Sequence, residues 1–376
     1  MQKFTNFMVI LTGAVVLMYL YKCMLNKQAR KREKEDYKSI QQILAEQRDD
    51  LAQSKKPILW IHIPYEYNAR NWQSFGSRGT FDLNQPYLYL TMQSIINKCS
   101  ESFQICIIDD QSFEKLIPDW SVDMKIISHP ISTKMRALGI AKLIYLYGGM
   151  VVPLSFLCMR DLKPIYDEGT AGNKMFAVEN IDRNSTSSHF DFYPDIHFMG
   201  AKKESPAVGS LIEFMQRTIS NDFTDQSTFL GDFDRWAQKR IKKGVINVIP
   251  GIKVGVKDKQ GEPVLLEDLM GSSTLDMPHD LCGIWVPHKE ILSRRKFEWF
   301  ARMSIEQIIE ANVILSKYIL MASVVDEDGA LITELRETPN WVSFWSVPSQ
   351  APVWGLKPDY LGNNMLQLKE PSYAGN

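Results

Sequence analysis

Two adjacent carboxylates, Asp109 and Asp110, end the apolar run FQICIIDD and are the first residues of this sequence that could do chemistry. A short apolar run of this kind is typical of a buried parallel strand. In α/β sheets, ligands bind in the crevice at the carboxyl ends of the strands. Asp109 and Asp110 therefore mark the predicted binding crevice, where they could contact a ligand, act as acids or remain solvated charges.

Other residue types that carry chemistry show no recognised spacing. The six histidines contain no HExxH or paired metal-ligand pattern. The five cysteines are an odd number and form no CxxC, which predicts core packing rather than a disulfide framework or a zinc site. The sequence also lacks a P-loop, a GxGxxG and a GxSxG motif. A net charge of −1 argues against nucleic-acid binding, because no basic face dominates.

The elements that must position the carboxylates alternate between strand and helix. The runs ILWIHIPY, FQICIIDD, MKIISHP and MVVPLSFL predict strands. Helices are predicted from Pro86 and from Lys134 to Tyr147, where Gly148-Gly149 ends the second one. This alternation predicts an α/β fold with a parallel sheet covered on both faces. Beyond it, the sequence predicts strands at 175–179, 196–200 and 245–249, and helices at 206–219, 229–243 and 305–321.

The stretch from Lys134 to Asp161, KMRALGIAKLIYLYGGMVVPLSFLCMRD, leads an apolar helix into Tyr147-Gly148-Gly149 and then a strand. It resembles the helix-YGG-strand core of the GT-A glycosyltransferases with a sugar-binding DxD motif, a group that includes capsular-polysaccharide and mannosyl-type enzymes. The segments PILWIHIP, ICIIDD and HFMGAKKESPAVGSLIEFM resemble that family in the same order, so the resemblance covers roughly 57–220. It implies a GT-A sheet, similar to nucleotide-diphospho-sugar transferases, flanked by helices.

The sequence departs from this family where the donor would bind. The family's paired acids hold a divalent cation that bridges the departing diphosphate. Counting from the glycines places Pro153 and Ser155 at those positions, and neither offers a carboxylate. An acid and an arginine of the preceding helix correspond here to Ala137 and Ile140. The resemblance thus implies a degenerate donor site, with no catalytic residue assigned, at Asp109, Asp110, Arg136, Ala137, Ile140, Gly148, Gly149, Pro153 and Ser155.

Replacement residues for this site remain an open alternative. No cofactor is expected, and Mn or Mg would bind only if other residues rebuild the metal site. Arg136 and Lys142 could balance a diphosphate without metal, and Asp161 is a further candidate acid.

A membrane anchor is predicted at residues 7–25, FMVILTGAVVLMYLYKCML, whose single charge is Lys22. About 20 apolar residues in a helix cross a hydrocarbon core of about 30 Å. The alternative, a cleaved signal peptide, is disfavoured by the length of the run and by the lack of a small-residue cleavage site. Basic residues cluster at 27–34 after the span and only Lys3 precedes it, which predicts a cytosolic C-terminal domain unless the basic run merely begins a solvated helix.

The chain is thereby divided into five parts. A short segment, 1–6, precedes the transmembrane helix at 7–25, and a charged juxtamembrane stalk, 26–54, follows it. The GT-A-like domain is expected at 55–335, and an aromatic tail, 336–376, is expected to pack on that domain. The membrane would be an endomembrane or the internal membrane of a large virus, the second on topology alone.

Two classes of function remain after this reasoning. The first is a membrane-anchored scaffold protein with a degenerate donor site, whose partners are the bilayer and proteins of a membrane-bound assembly, with no nucleic acid. The second is an active glycosyltransferase that transfers a sugar from a nucleotide sugar to a glycan or a membrane acceptor. A narrower option is a regulator that binds a nucleotide sugar or a true transferase without turnover.

Overall fold

A computed structural model describes Met24 and residues 55–64, 85–124, 126–181, 193–229 and 231–323. Internal contacts divide the chain into two units, 1–50 with 66–82 and 51–65 with 83–376, and every element below belongs to the second. Within the described ranges, no helix combines the length and the apolar character needed to cross a bilayer. Apart from Met24, the predicted span and stalk lie outside the described residues, as does everything after residue 323.

Six strands form a mostly parallel sheet in the order β2-β1-β3-β6-β5-β7, in which only β6 runs antiparallel to its neighbours. Two more strands, β4 and β8, pair antiparallel in a small second sheet. The strands are β1 Ile58–His62, β2 Gln104–Ile108, β3 Gly149–Val151, β4 Phe156–Cys158, β5 Met175–Asn180, β6 Tyr193–Ala201, β7 Ile246–Ile249 and β8 Gly283–Trp285.

Helices cover both faces of the six-stranded sheet and build a further layer beyond β4 and β8. They are α1 Tyr87–Cys99, α2 Ser112–Leu116, α3 Ile131–Tyr147, α4 Lys163–Gly169, α5 Pro206–Asn221, α6 Gln226–Phe229, α7 Asp232–Lys242, α8 Leu266–Leu269, α9 His288–Ser293, α10 Glu298–Ala301, α11 Ile305–Glu310 and α12 Ile314–Ser323. The predicted α/β architecture with a sheet flanked by helices is therefore confirmed, and the sheet is mostly rather than wholly parallel because β6 is antiparallel.

The core follows from side-chain alternation along the central strands. In β1, Ile58 and Trp60 pack with α3, α5 and α7 on one face of the sheet, whereas Leu59 and Ile61 pack with α1 and α4 on the other. A central strand buried on both faces must be apolar throughout, which is what the run ILWI supplies. A third apolar cluster lies among α1 and α8 to α12 and includes Leu157 and Ile284 of the small sheet.

Two strand predictions were wrong in detail. MKIISHP was predicted as a strand, but residue 124 and residues 126–130 are not in one, and the Ile126 side chain is 82 % exposed. An apolar run becomes a strand only where a neighbouring strand accepts its hydrogen bonds. MVVPLSFL, predicted as one strand, is divided at Pro153 into β3 and β4. Proline has no amide hydrogen for a ladder and ends the pairing there.

The single late helix predicted at 305–321 is also two helices, α11 and α12. Ser304 caps the first of them, because its side chain accepts a hydrogen bond from the Gln307 amide.

Candidate functional site

The carboxyl ends of the parallel strands meet at one edge of the six-stranded sheet, here called the site edge. The register pairs His62 with Ile108 and Trp60 with Val151, so β1, β2 and β3 end side by side. The antiparallel β6 begins at the same edge, because Asp195 pairs with Val178 of β5. Every residue directly after β1, β2 and β3 therefore faces one region, as expected for the binding crevice of an α/β sheet.

Asp110 is the centre of a charged cluster at this edge. Arg136 of α3 donates from Nε to Oδ1 at 2.9 Å and from Nη2 to Oδ2 at 2.8 Å, a bidentate contact. Nε2 of His62 lies 3.0 Å from the same Oδ1 of Asp110. The His62 ring stacks on Phe113, with centroids 5.4 Å apart. Three elements, β1, β2 and α3, thus hold one carboxylate in place.

These partners stabilise the ionised form of the Asp110 carboxyl group. Its side chain is 20 % exposed, and burial alone would raise its pKa. The hydrogen bonds from His62 and Arg136, together with their charges, outweigh burial and lower the pKa of Asp110 to about 2. The carboxylate and the guanidinium neutralise each other, so neither offers an uncompensated charge to a ligand.

The Asp109 side chain forms hydrogen bonds with the segment that directly follows it. Its Oδ1 accepts hydrogen bonds from the backbone amide of Ser112 at 2.8 Å and from the Ser112 hydroxyl at 2.6 Å. These bonds fasten the start of α2 to the end of β2, the role that an aspartate commonly has at a helix N-terminus. The two adjacent acids, predicted together as crevice residues, therefore have different roles.

The positions of the expected motif acids form a turn between β3 and β4. The Phe156 amide donates to the Pro153 carbonyl at 2.9 Å, which closes the turn. Ser155 is fully buried within it, and its Oγ lies 3.0 Å from Nδ1 of His288. Helix α1 also stabilises this turn, because Thr91 Oγ1 donates a hydrogen bond to the Leu154 carbonyl at 2.6 Å.

His288 is held in the neutral form by its surroundings. Burial, followed by the positive charges of Lys289 and His197, lowers the pKa of His288 to about 3. A neutral imidazole and a hydroxyl satisfy each other's hydrogen-bonding groups without placing a charge in the turn. One position of the expected metal-binding acids is thus occupied by an uncharged pair, in which Ser155 is fully buried and His288 is half-buried.

A second carboxylate and histidine pair lies at the start of β6. Asp195 Oδ1 is 2.7 Å from Nδ1 of His197, and Asn180 donates to Oδ2 at 2.7 Å. Burial would raise the pKa of Asp195, but the His197 charge and the hydrogen bonds of His197 and Asn180 lower it to about 2. The His197 side chain is 52 % exposed, so this pair orients an imidazole that solvent reaches.

The glycines at the junction of α3 and β3 are required by the backbone. Gly148 has a φ of 75°, and its amide caps α3 by donating to the Ile144 carbonyl at 2.9 Å. A Cβ on Gly149, whose φ is 96°, would lie 2.0 Å from the Ile58 carbonyl oxygen. Trp60 also donates from Nε1 to the Gly148 carbonyl at 3.0 Å. The Gly-Gly pair therefore lets α3 turn directly into a strand beside β1.

The remaining predicted site residues are engaged in packing or in local contacts. Ala137 and Ile140 are half-buried on α3 and pack against the apolar core. The Lys142 ammonium lies 5.5 Å from the centre of the Trp120 ring. Asp161 accepts hydrogen bonds from the Ser102 hydroxyl and the Lys163 amide. Of the predicted set, Asp110 and Arg136 are brought into direct contact through their side chains.

Three histidines that had no predicted role, His62, His197 and His288, complete these clusters. The position of His62 at the end of β1 was the available signal, because the crevice rule applies to every strand end. No sequence signal indicated a role for His288, since 133 residues separate it from Ser155.

The charges at the site edge are largely compensated internally. Across the described ranges, no group of three or more His, Cys, Asp or Glu side chains is arranged to hold a metal ion. A shallow surface depression lies elsewhere, along the second half of α5, and is lined by Glu213, Gln216, Arg217, Ser220 and Asn221. The chemistry that the site edge offers is polar contact and, at His197, proton exchange.

Comparison of the chain with models of known protein families gives no match, and comparison with curated proteins gives none either.

Proposed function

We propose that this chain is a membrane-anchored protein with a GT-A-like domain that is degenerate in its donor and metal site, and that it acts as a structural or scaffold protein. Two features support the GT-A-like assignment. The helix α3 leads through Tyr147-Gly148-Gly149 into β3, as in the resemblance described above. Four of the predicted donor-site residues, Asp109, Asp110, Pro153 and Ser155, also follow β2 and β3 at the site edge, which is where α/β sheets bind ligands.

The contact between Ser155 and His288 is the single observation that best supports the proposed loss of metal-dependent donor binding. A divalent cation that bridges a diphosphate needs carboxylate or other hard oxygen ligands. Ser155 offers one hydroxyl, which is fully buried and lies 3.0 Å from an imidazole of lowered pKa. Placing a dication beside that pair would require breaking the hydrogen bond of the buried Ser155 hydroxyl without gaining a carboxylate.

A cation-based donor site has little support from the side chains. Arg136 forms a bidentate contact with Asp110, and a diphosphate would have to displace that carboxylate. Lys142, which is on the same helix as Arg136, lies over the Trp120 ring. Since displacing Asp110 would leave a half-buried carboxylate without its guanidinium partner, Arg136 is poorly placed to stabilise a leaving group.

One observation favours the alternative, an active glycosyltransferase. Asp195 orients His197 through Nδ1, which leaves the other ring nitrogen of an exposed imidazole at the site edge. A histidine held in this way can accept a proton from an acceptor hydroxyl. It cannot replace the missing stabilisation of the departing diphosphate, so we rank the scaffold function first.

The test is the thermal stability of the full chain in detergent micelles with a panel of nucleotide sugars, with and without Mn²⁺. A ligand that binds only the folded state at a hundred times its dissociation constant stabilises by about 2.7 kcal/mol. We expect no shift beyond that of the nucleotide-free control. A shift that requires Mn²⁺ would contradict the proposal, and loss of that shift in an Asp110→Asn variant would locate the donor at the site edge.

Turnover separates the two remaining outcomes. A metal-independent shift without release of nucleoside diphosphate would indicate a regulator that binds nucleotide sugars. Release of nucleoside diphosphate that is lost in a His197→Ala variant would establish the transferase alternative.

A further inference from the structure

The edge of the six-stranded sheet opposite the site edge is defined by the strand register. One residue from each strand lies in a single row there: Gln104, Ile58, Gly149, Ala201, Met175 and Ile246. Neighbouring strands are about 4.8 Å apart, so the row from β1 to β7 extends over about 19 Å. Residues just before β1, β5 and β7, and just after β6, therefore share one surface.

Lysines dominate this surface. Seven of them stand within four residues of the row, and all but the half-buried Lys174 are exposed: Lys55, Lys56, Lys174, Lys202, Lys203, Lys242 and Lys243. We call these seven residues the lysine edge. They come from four separate places in the sequence, which is why the near-neutral composition gave no sign of a basic face.

Local contacts support this grouping. A Cβ built on Gly148, next to the row, would lie 2.8 Å from the Lys203 amide nitrogen. A Cβ built on Gly244 would lie 3.9 Å from the Lys174 ammonium, so that ammonium is beside the turn that follows Lys243. The lysines that follow β6 and those that flank β5 and β7 thus lie along the same edge.

Few carboxylates compensate the lysine edge. Glu101 and Glu204 are exposed near the row, and Asp161 lies near it but is bonded to Ser102 and Lys163. Asp167 and Glu168 also approach this edge, because Gly169 accepts a hydrogen bond from Asn247 of β7, but they pair with Lys163 and Lys253. Within the described ranges, no ion pair involves five of the lysines: Lys174, Lys202, Lys203, Lys242 and Lys243. These five lysines therefore give the described part of the edge an excess of positive charge.

We propose that the lysine edge docks onto the anionic lipid headgroups of the membrane that anchors the chain. This inference rests on the proposed membrane anchor and adds the face by which the domain meets the bilayer. The chain enters the domain at Lys55 and Lys56, directly after the segment 26–54, and so enters at this same edge. Anionic lipids of a cytosolic leaflet attract clustered lysines, and each adds a favourable increment close to the surface.

The docked orientation determines what the site edge can reach. The site edge and the lysine edge are opposite ends of the same strands. With the lysine edge on the bilayer, the clusters around Asp110 and His197 face away from it. A partner bound there would come from the aqueous phase, which agrees with a scaffold for soluble proteins better than with transfer to a membrane acceptor.

Lysine footprinting of the full chain in nanodiscs tests the proposal. One set of discs contains neutral phosphatidylcholine, and the other contains about 30 % phosphatidylserine. Acylation rates are read for each lysine by peptide mass spectrometry. We expect the lysine edge to react about threefold more slowly in anionic discs, and about 0.5 M salt to reverse this. The exposed Lys259, Lys289 and Lys317 serve as internal controls whose rates stay unchanged.

Matched charge reversals locate the effect. A variant with glutamate at Lys202, Lys203, Lys242 and Lys243 should lose the protection of Lys55 and Lys174. A control variant with glutamate at Lys259, Lys289, Lys296 and Lys317 should keep it. Protection that survives the first variant, or is lost equally in both, would overturn the proposal.

The remaining outcomes also decide the question. Equal rates in neutral and anionic discs would overturn docking on anionic lipid. Protection in neutral discs by an added RNA oligonucleotide would overturn it in favour of a nucleic-acid surface. A chain that fails to incorporate into discs would refute the anchor, and docking with it. Failed incorporation would remove the anchor that the docking and scaffold proposals share. Every other outcome bears on docking alone, because none of them depends on nucleotide-sugar binding.

Discussion

Replacing Asp110 with asparagine removes the negative charge that Arg136 and His62 share. The pKa of Asp110 is about 2 in the folded chain, against an ordinary value of 3.8. Because the folded pKa is lowered, the carboxylate stabilises the fold above its unfolded pKa and loses that contribution as the pH falls through about 2. At 1.36 kcal/mol per pKa unit, the contribution at pH 7 is about 2 kcal/mol.

The measurement is the thermal midpoint of the full chain and of the Asp110→Asn variant as a function of pH. We expect the variant to melt about 5 °C lower at pH 7, since a loss of 1 kcal/mol shifts a domain of this order of size by about 2–4 °C. The difference should shrink as the pH falls from about 4 to about 2, because the wild-type carboxylate is protonated there.

A matched control is Asp119→Asn, which neutralises an exposed aspartate. Asparagine tolerates the positive φ of 59° at that position, so the midpoint should stay within about 1 °C of the wild type. An Asp110→Asn variant that melts like the wild type at pH 7, or a difference that is the same at pH 7 and pH 2, would refute the reasoning.

Three further results are expected. Gly149→Ala should abolish cooperative melting, because its Cβ would meet a carbonyl oxygen of β1 at 2.0 Å; Gly261→Ala, at a φ of 88° with open space around it, should cost only about 1–2 kcal/mol in the free energy of unfolding. Ser155→Ala should cost about 1–3 kcal/mol, because it leaves the half-buried His288 ring without its hydroxyl partner, and denaturant unfolding would measure this. Carboxyl carbon NMR should give Asp195 a pKa of about 2, whereas a value near 4 would show that its histidine and amide contacts do not form.

The main elements of the fold could be predicted from local sequence. Pro86 marks the entry to α1, the apolar run before Asp109 forms β2, and Gly148 ends α3. These features depend on a few neighbouring residues, so a single sequence contains them. The run around Ile126 has the same local character as a strand, and only the lack of a neighbouring strand in the described sheet distinguishes it.

The candidate site was predictable in position and unpredictable in its contacts. The crevice rule located Asp110, but its partners His62 and Arg136 come from other elements, 48 and 26 residues away. Spacing along the chain does not specify which side chains meet across strands. The sequence alone shows that Ser155 replaces a motif acid. Only the packed structure shows that Ser155 pairs with the distant His288.

Equilibrium Mn²⁺ binding, followed by electron paramagnetic resonance in the presence of a nucleoside diphosphate, tests the central claim most directly. The claim is that the turn at 153–155 no longer holds a divalent cation against a diphosphate. We predict that adding the full chain leaves the spectrum of the Mn²⁺–nucleotide complex unchanged at equimolar protein. A protein-bound signal that approaches one Mn²⁺ per chain and is lost in an Asp110→Asn variant would contradict the account and restore a metal-dependent donor site.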